Sequence, residues 1–207
     1  NFVGGLAKRG ADALEVWNEH NIDHAWTAGN IGPQQYTELL RQSYIAIKNA
    51  NSNTMVISAA PAPTGYFGGC SGYGCDDNLF VAGMAQAGAA NYMDCIGIHY
   101  NEGILPPTAT SGDPRGNSGH YTRYFRPMMD TYYNAFNGAR PLCFTELGYL
   151  SPEGYGGLSA GFAWASNVTV AQQAAWLDQA VSMARNSGRV RLFIIWNVDF
   201  ENYGTDP

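Results

Sequence analysis

Apolar and polar positions alternate along this chain in two distinct rhythms. Short, nearly unbroken apolar runs at Ala13–Trp17, Thr54–Ser58, Asp94–His99, Pro141–Thr145 and Val190–Trp196 have the length and composition of strands buried on both faces. Between them lie longer segments of helical period. Pro33 suits a first helical position, and Tyr36, Leu39, Leu40, Tyr44 and Ile47 then share one face up to about Ala50. Further helices are expected over Asp77–Ala87, over His120–Phe136 with a kink or restart at Pro127, and over Val170–Asn186. Thr169-Val170-Ala171-Gln172 has the form of a capping box, and Gly188 a helix stop. The opening stretch Asn1–Gly10 reads as the tail of one more helix.

Strand and helix thus alternate through five strands, which predicts an α/β fold with a parallel sheet and right-handed crossovers. The segments that follow the strands are long and rich in Gly, Tyr and Trp, whereas those that precede them are short. Function in such folds sits at the C-terminal ends of the strands. Two strand ends present a glutamate there. Leu14-Glu15-Val16-Trp17 breaks into Asn18-Glu19-His20-Asn21, and Leu142-Cys143-Phe144-Thr145 runs into Glu146-Leu147-Gly148. Paired carboxylates are the equipment of glycoside hydrolysis.

Trp17-Asn18-Glu19-His20-Asn21 resembles the WNEPN signature of the retaining β-glycosidases of clan A, and Thr145-Glu146-Leu147-Gly148 resembles that clan's nucleophile strand. The likeness is nearest to the β-xylosidase and α-L-iduronidase family, with the cellulase-like families next. It implies a (β/α)8 barrel of which this chain carries strands four to eight with their helices, as a single incomplete domain over residues 1–207. It further implies Glu19 as acid/base, Glu146 as nucleophile and Asn18 as the partner of the sugar hydroxyl beside the anomeric carbon. His99 and Tyr100 correspond to the clan's His and Tyr near the nucleophile, with the tyrosine donating to Glu146. Trp196 corresponds to its sugar-platform tryptophan. No metal or organic cofactor is implied. Two departures stand out: His20 occupies the place of the clan's proline, and the arginine and histidine that the clan supplies from strands two and three have no counterpart.

A partial barrel admits three explanations: a fragment of a longer enzyme, a barrel completed by another chain, or a self-standing five-stranded sheet. In the last case the Glu19 and Val190 strands have open edges, and a homodimer or a complementing barrel segment is expected to cover them. A catalytically impaired fragment serving as a carbohydrate-binding or interaction module is the alternative function. An α/β hydrolase of the serine type is disfavoured, because no Gly-x-Ser-x-Gly elbow occurs.

Composition narrows the partners. With 11 Lys and Arg against 17 Asp and Glu, the net charge of −6 and the lack of a basic cluster disfavour nucleic acid and anionic membranes. A neutral, β-linked oligosaccharide or glycoside fits. No apolar run has the length of a membrane span. Cys70 and Cys75 bracket a Gly-rich loop and suggest a small disulfide ring, with a metal pair as the weaker rival; Cys95 and Cys143 read as buried small hydrophobes. A loop disulfide points to an extracellular or exported location, its absence to a cytoplasmic one. Tyr66, Phe67, Tyr73, Tyr155 and Trp164 lie on the long loops as candidate sugar contacts. Asp76 and Asp77 are read as complements to a helix N-terminus and Asp113 as a turn residue.

Overall fold

The structure, a computed structural model, describes residues 2–196. Among the described residues seven strands and five α-helices follow one another as α1 (Phe2–Lys8), β1 (Ala13–Val16), α2 (Pro33–Ala50), β2 (Met55–Ser58), β3 (Cys70–Ser71), β4 (Gly74–Cys75), α3 (Asp77–Gln86), β5 (Ile96–Tyr100), α4 (Phe125–Ala135), β6 (Leu142–Leu147), α5 (Val170–Ser187) and β7 (Val190–Ile195). The described residues fall into two compact units. One comprises the chain up to His99 with Thr131–Cys143; the other comprises Tyr100–Asp130 with the chain from Phe144 onward.

In the first unit β1 and β2 pair in parallel, Ala13 against Met55 through Val16 against Ser58. A parallel bridge from Ile57 to Cys95 continues the pairing to the start of β5, and Ile96 N donates to Pro141 O (2.9 Å) where β6 begins. Tyr36, Leu40 and Ile47 of α2, Phe80 and Met84 of α3, and Val56, Ile57 and Ile98 of the strands form its buried core. The face of α2 is the one the periodicity predicts, and its bounds at Pro33 and Ala50 coincide with the sequence reading. In the second unit Gly148 N donates to Tyr100 O (3.0 Å) and Trp196 N to Leu147 O (2.9 Å), so the strand ends stay in register. Paired starts and paired ends make β5 and β6 parallel, and β6 lies between β5 and β7. Phe144 stacks on Phe125 at a centroid spacing of 5.3 Å and meets Phe193 at a tilt at 5.4 Å.

Two readings of local structure need correction, and a third is met in part. The helix expected from His120 is interrupted: a single 3-10 turn occupies Tyr121–Arg123, and α4 restarts at Phe125, so Pro127 falls in its first turn, where a missing N–H breaks no helical bond. Asp76 is the N-cap residue of α3 but makes no side-chain cap bond; its carboxylate accepts from the Phe67 and Gly69 amides (3.0 and 2.9 Å) and fastens the preceding loop. Cys95 and Cys143 form a disulfide, as do Cys70 and Cys75. Adjacent parallel strands bring Cys95 and Cys143 to a Cα–Cα distance of 5.8 Å, within bridging range.

Asp77 opens α3 fully buried. It accepts from Thr64 N (3.1 Å) and from the Tyr132 hydroxyl (2.8 Å), while Thr64 Oγ1 accepts from the Asp77 amide (2.9 Å). The capping box of α5 forms with both bonds, and Gly188 ends that helix at φ 66°, where glycine carries no steric cost. No helix among the described residues is long and apolar enough to cross a membrane.

The Cys95–Cys143 bridge spans 48 positions, which in the chain-entropy account corresponds to about 4 kcal/mol. The Cys70–Cys75 bridge, spanning 5, corresponds to about half as much. Urea unfolding of the Cys95→Ser/Cys143→Ser variant is therefore expected to show a larger fall in midpoint than Cys70→Ser/Cys75→Ser. Equal falls would contradict this account.

Candidate active site

Beyond Val16 the chain leaves β1 through a turn that most residues resist. Trp17 has φ 81° and Glu19 φ 45°. Each left-handed non-glycine residue costs about 1–3 kcal/mol and persists only where surrounding contacts dictate it. Those contacts are present. The Tyr36 hydroxyl donates to Val16 O (3.0 Å) and accepts from Ala59 N (2.6 Å), Glu19 N donates to Ala60 O (3.0 Å), and Glu15 Oε1 accepts from Ala60 N (3.0 Å). Burial pushes the Tyr36 hydroxyl far above its ordinary pKa, so it remains a donor at every relevant pH.

Past the turn, His20 and Asn21 face inward and are fully buried. Asn21 uses its whole carboxamide: Nδ2 donates to Ala62 O (2.9 Å) and Cys75 O (3.1 Å), and Oδ1 accepts from Ala62 N (2.7 Å). His20 stacks on Tyr36 at 3.7 Å and meets Phe80 edge-on at 4.6 Å, and neither ring nitrogen has a hydrogen-bond partner. Histidine at this position therefore serves as an aromatic filler. Burial, with a smaller effect from His99, lowers its pKa well below the usual value.

Glu19 itself is half-buried. Its Oε1 lies 3.2 Å from Nδ1 of His99, which is fully buried near the end of β5. Asn18 is exposed beside it. Trp17 is also exposed, gives its indole N–H to Ala25 O (2.6 Å), and meets Trp26 edge-on at 5.6 Å. The two indoles, His24, Ala25, Thr27 and Leu39 line a cavity of about 470 Å³.

In the second unit Glu146 stands near the end of β6, half-buried. Asn101 Nδ2 donates to its Oε2 at 2.9 Å. The neighbouring Tyr100, expected to make that contact, gives its hydroxyl to Arg123 O (3.2 Å), and its ring is held edge-on by Phe125 and Tyr149 at 5.6 and 5.8 Å. Asn101 is thus a site residue that the sequence reading passed over, since a single Asn after a strand carries no local signal. Its Oδ1 is buried without a partner, an arrangement that costs about 1–3 kcal/mol. Trp196 stands just past the end of β7 and is about half exposed. The following Asn197-Val198-Asp199 lie outside the described residues.

Loop residues proposed from sequence divide in two. Tyr66, Tyr73 and Tyr155 are exposed, whereas Trp164 covers the Arg115 guanidinium at 4.9 Å. Asp113 makes the expected turn through Arg115 N (2.9 Å) and is buried by its ion pair with the Arg115 side chain (2.6 Å).

No family model matches the chain, and no curated protein does. Solved structures do. The fold is similar to that of a family 39 glycoside hydrolase from the gut symbiont Bacteroides cellulosilyticus WH2, with a TM-score of 0.60 and 19% identity over 94% of this chain and 35% of that one. It is also similar to a family 51 α-L-arabinofuranosidase from Bifidobacterium longum, with a TM-score of 0.52 and 15% identity over 89% of this chain and 37% of that one. The chain spans about a third of the length of these structures. Its α/β fold is similar to that of about a third of each of these two structures.

His20 yields a test by linkage. In the unfolded chain it takes up a proton below about pH 6.5, whereas in the folded chain it resists protonation, so stability falls as pH drops through that value. Urea midpoints of the wild type are expected to decline more steeply between pH 6.5 and 5 than those of His20→Phe. The difference is at most about 1.4 kcal/mol per pH unit. Parallel curves would show that His20 is not buried neutral.

Proposed function

We propose that this chain is the C-terminal part of the catalytic barrel of a clan-A-like retaining β-glycosidase, acting on a β-linked oligosaccharide or glycoside. Glu146 attacks the anomeric carbon and forms a glycosyl ester while Glu19 gives its proton to the leaving oxygen. In the second half Glu19 takes a proton from water, which displaces Glu146 and restores the acid. A general acid needs to hold its proton near neutral pH, and a nucleophile needs to remain ionised.

The observation that carries this reading is the position of both glutamates. Each stands at or just past the C-terminal end of a parallel strand, in a fold similar to glycoside hydrolases, and each has a polar partner of its own, His99 for Glu19 and Asn101 for Glu146. The strained turn at Trp17 and Glu19 supports a functional role for that strand end. Asn18, exposed beside Glu19, is assigned to the hydroxyl next to the anomeric carbon, and Trp196 to the sugar platform, where half its surface is available. Two disulfides favour an exported location. The outer edges of β1 and β7 carry no strand among the described residues, which favours coverage by a second copy or a complementing barrel segment.

A second reading is a carbohydrate-binding module without turnover, favoured by the exposed Trp17 indole and the open cavity it lines with Trp26. Kinetics on a panel of aryl β-glycosides, with light scattering on the same sample, separate the two. In the enzyme Glu146→Gln abolishes turnover. Glu19→Gln lowers kcat/KM by roughly 10²–10⁴-fold on poor leaving groups and much less on activated ones. Affinity for β-linked oligosaccharides without turnover by the wild type favours the module. Full activity of Glu146→Gln refutes the assigned mechanism.

A further inference from the structure

We propose that Asn101 is a positioning residue for Glu146, the carboxamide that aims this carboxylate at the anomeric carbon. The inference rests on the reading of Glu146 as nucleophile and adds to it a group that helps to fix its geometry.

The orientation of the carboxamide is set by its neighbour. An ionised carboxylate only accepts, so the side of Asn101 that faces Glu146 Oε2 at 2.9 Å is the NH₂ group. A donor to a charged acceptor makes a short, strong bond. The register of the strands holds the two residues together, because Gly148 N bonds to Tyr100 O (3.0 Å) and thereby seats the chain on either side of the pair. Gly148 contributes again through its missing side chain. A Cβ there would collide with the Trp196 carbonyl and come within 3.3 Å of Asn101 Oδ1.

Comparison with Asn21 separates positioning from scaffolding. Asn21 is an asparagine of the structural kind, its donors and its acceptor all engaged with backbone groups of the loop it supports. Asn101 supports no backbone. Among the described residues its carboxamide makes one bond, to Glu146, while its oxygen is buried without a partner. The one bond of the carboxamide therefore goes to the carboxylate, and holding that carboxylate in one orientation is what converts binding into rate. Tyr100 cannot replace it, because its hydroxyl is committed to the Arg123 carbonyl.

The test uses an activated 2-deoxy-2-fluoro-β-glycosyl fluoride, which traps the glycosyl ester, together with steady-state kinetics on an aryl β-glycoside and urea unfolding. Asn101→Ala removes the donor; Asn101→Asp keeps the shape and sets a second carboxylate against Glu146. In the wild type the label is expected on Glu146. In both variants labelling and kcat should fall by about 10²-fold, with KM nearly unchanged and the unfolding midpoint retained. Labelling of Glu146 at the wild-type rate in both variants overturns the positioning role and leaves Glu146 as nucleophile. A lost rate that tracks a lowered unfolding midpoint in both variants overturns it in favour of a structural role. A label on another residue, or none in the wild type, overturns the reading of Glu146 and this inference with it.

Discussion

A parallel pair of strands must stop somewhere, and where it stops the backbone groups it has been pairing are left without partners in a buried place. In the first unit that problem is solved by one hydroxyl. Tyr36, projecting from α2, donates to the last carbonyl of β1 and accepts from the amide just beyond β2. A buried backbone group without a partner costs free energy comparable to a lost hydrogen bond, so this one side chain sets where the strands end. It also directs the path of the chain beyond β1. With Val16 held, the backbone turns through two left-handed residues to bring His20 onto the Tyr36 ring and Glu19 to His99.

The same economy recurs around the other buried polar groups. Asp77 accepts from Thr64 and Tyr132, and Asn21 closes the loops from Ala62 and Cys75. These groups are saturated, which makes them rigid. His20, Asn101, Arg123 and Tyr149 are among the exceptions, with polar atoms buried and unmatched. Two of them stand beside a glutamate with a proposed chemical role: His20 follows Glu19 in sequence, and Asn101 donates to Glu146. Local rules tend to be broken where function imposes a competing demand.

Elements whose signal is local were legible at once. The helical face of α2 and the capping box of α5 depend on residues within one or two turns, and the structure has them where the pattern put them. Strand ends were less so. β6 runs on through Glu146 to Leu147, since an apolar-run criterion stops at the first polar residue, whereas the ladder continues as long as a neighbour offers bonds. The hairpin of β3 and β4 has only two residues per strand and no period to detect. The Cys95–Cys143 bridge was missed because nothing near either cysteine reports the other, 48 positions away.

What the sequence by itself determined is the order of strands and helices, the placing of a glutamate at two strand ends, and the disulfide ring of the Gly-rich loop. These rest on side-chain period, on the break between apolar and polar residues, and on short separations along the chain. Only tertiary structure decided the partners. Whether Tyr100 or Asn101 reaches Glu146 turns on which of two adjacent residues faces a neighbouring strand, and successive side chains point to opposite faces. Whether a histidine is a ligand, an acid or a filler depends on what stacks on it, as Tyr36 does on His20. Composition sets which groups are available; the packing of distant segments sets which of them meet.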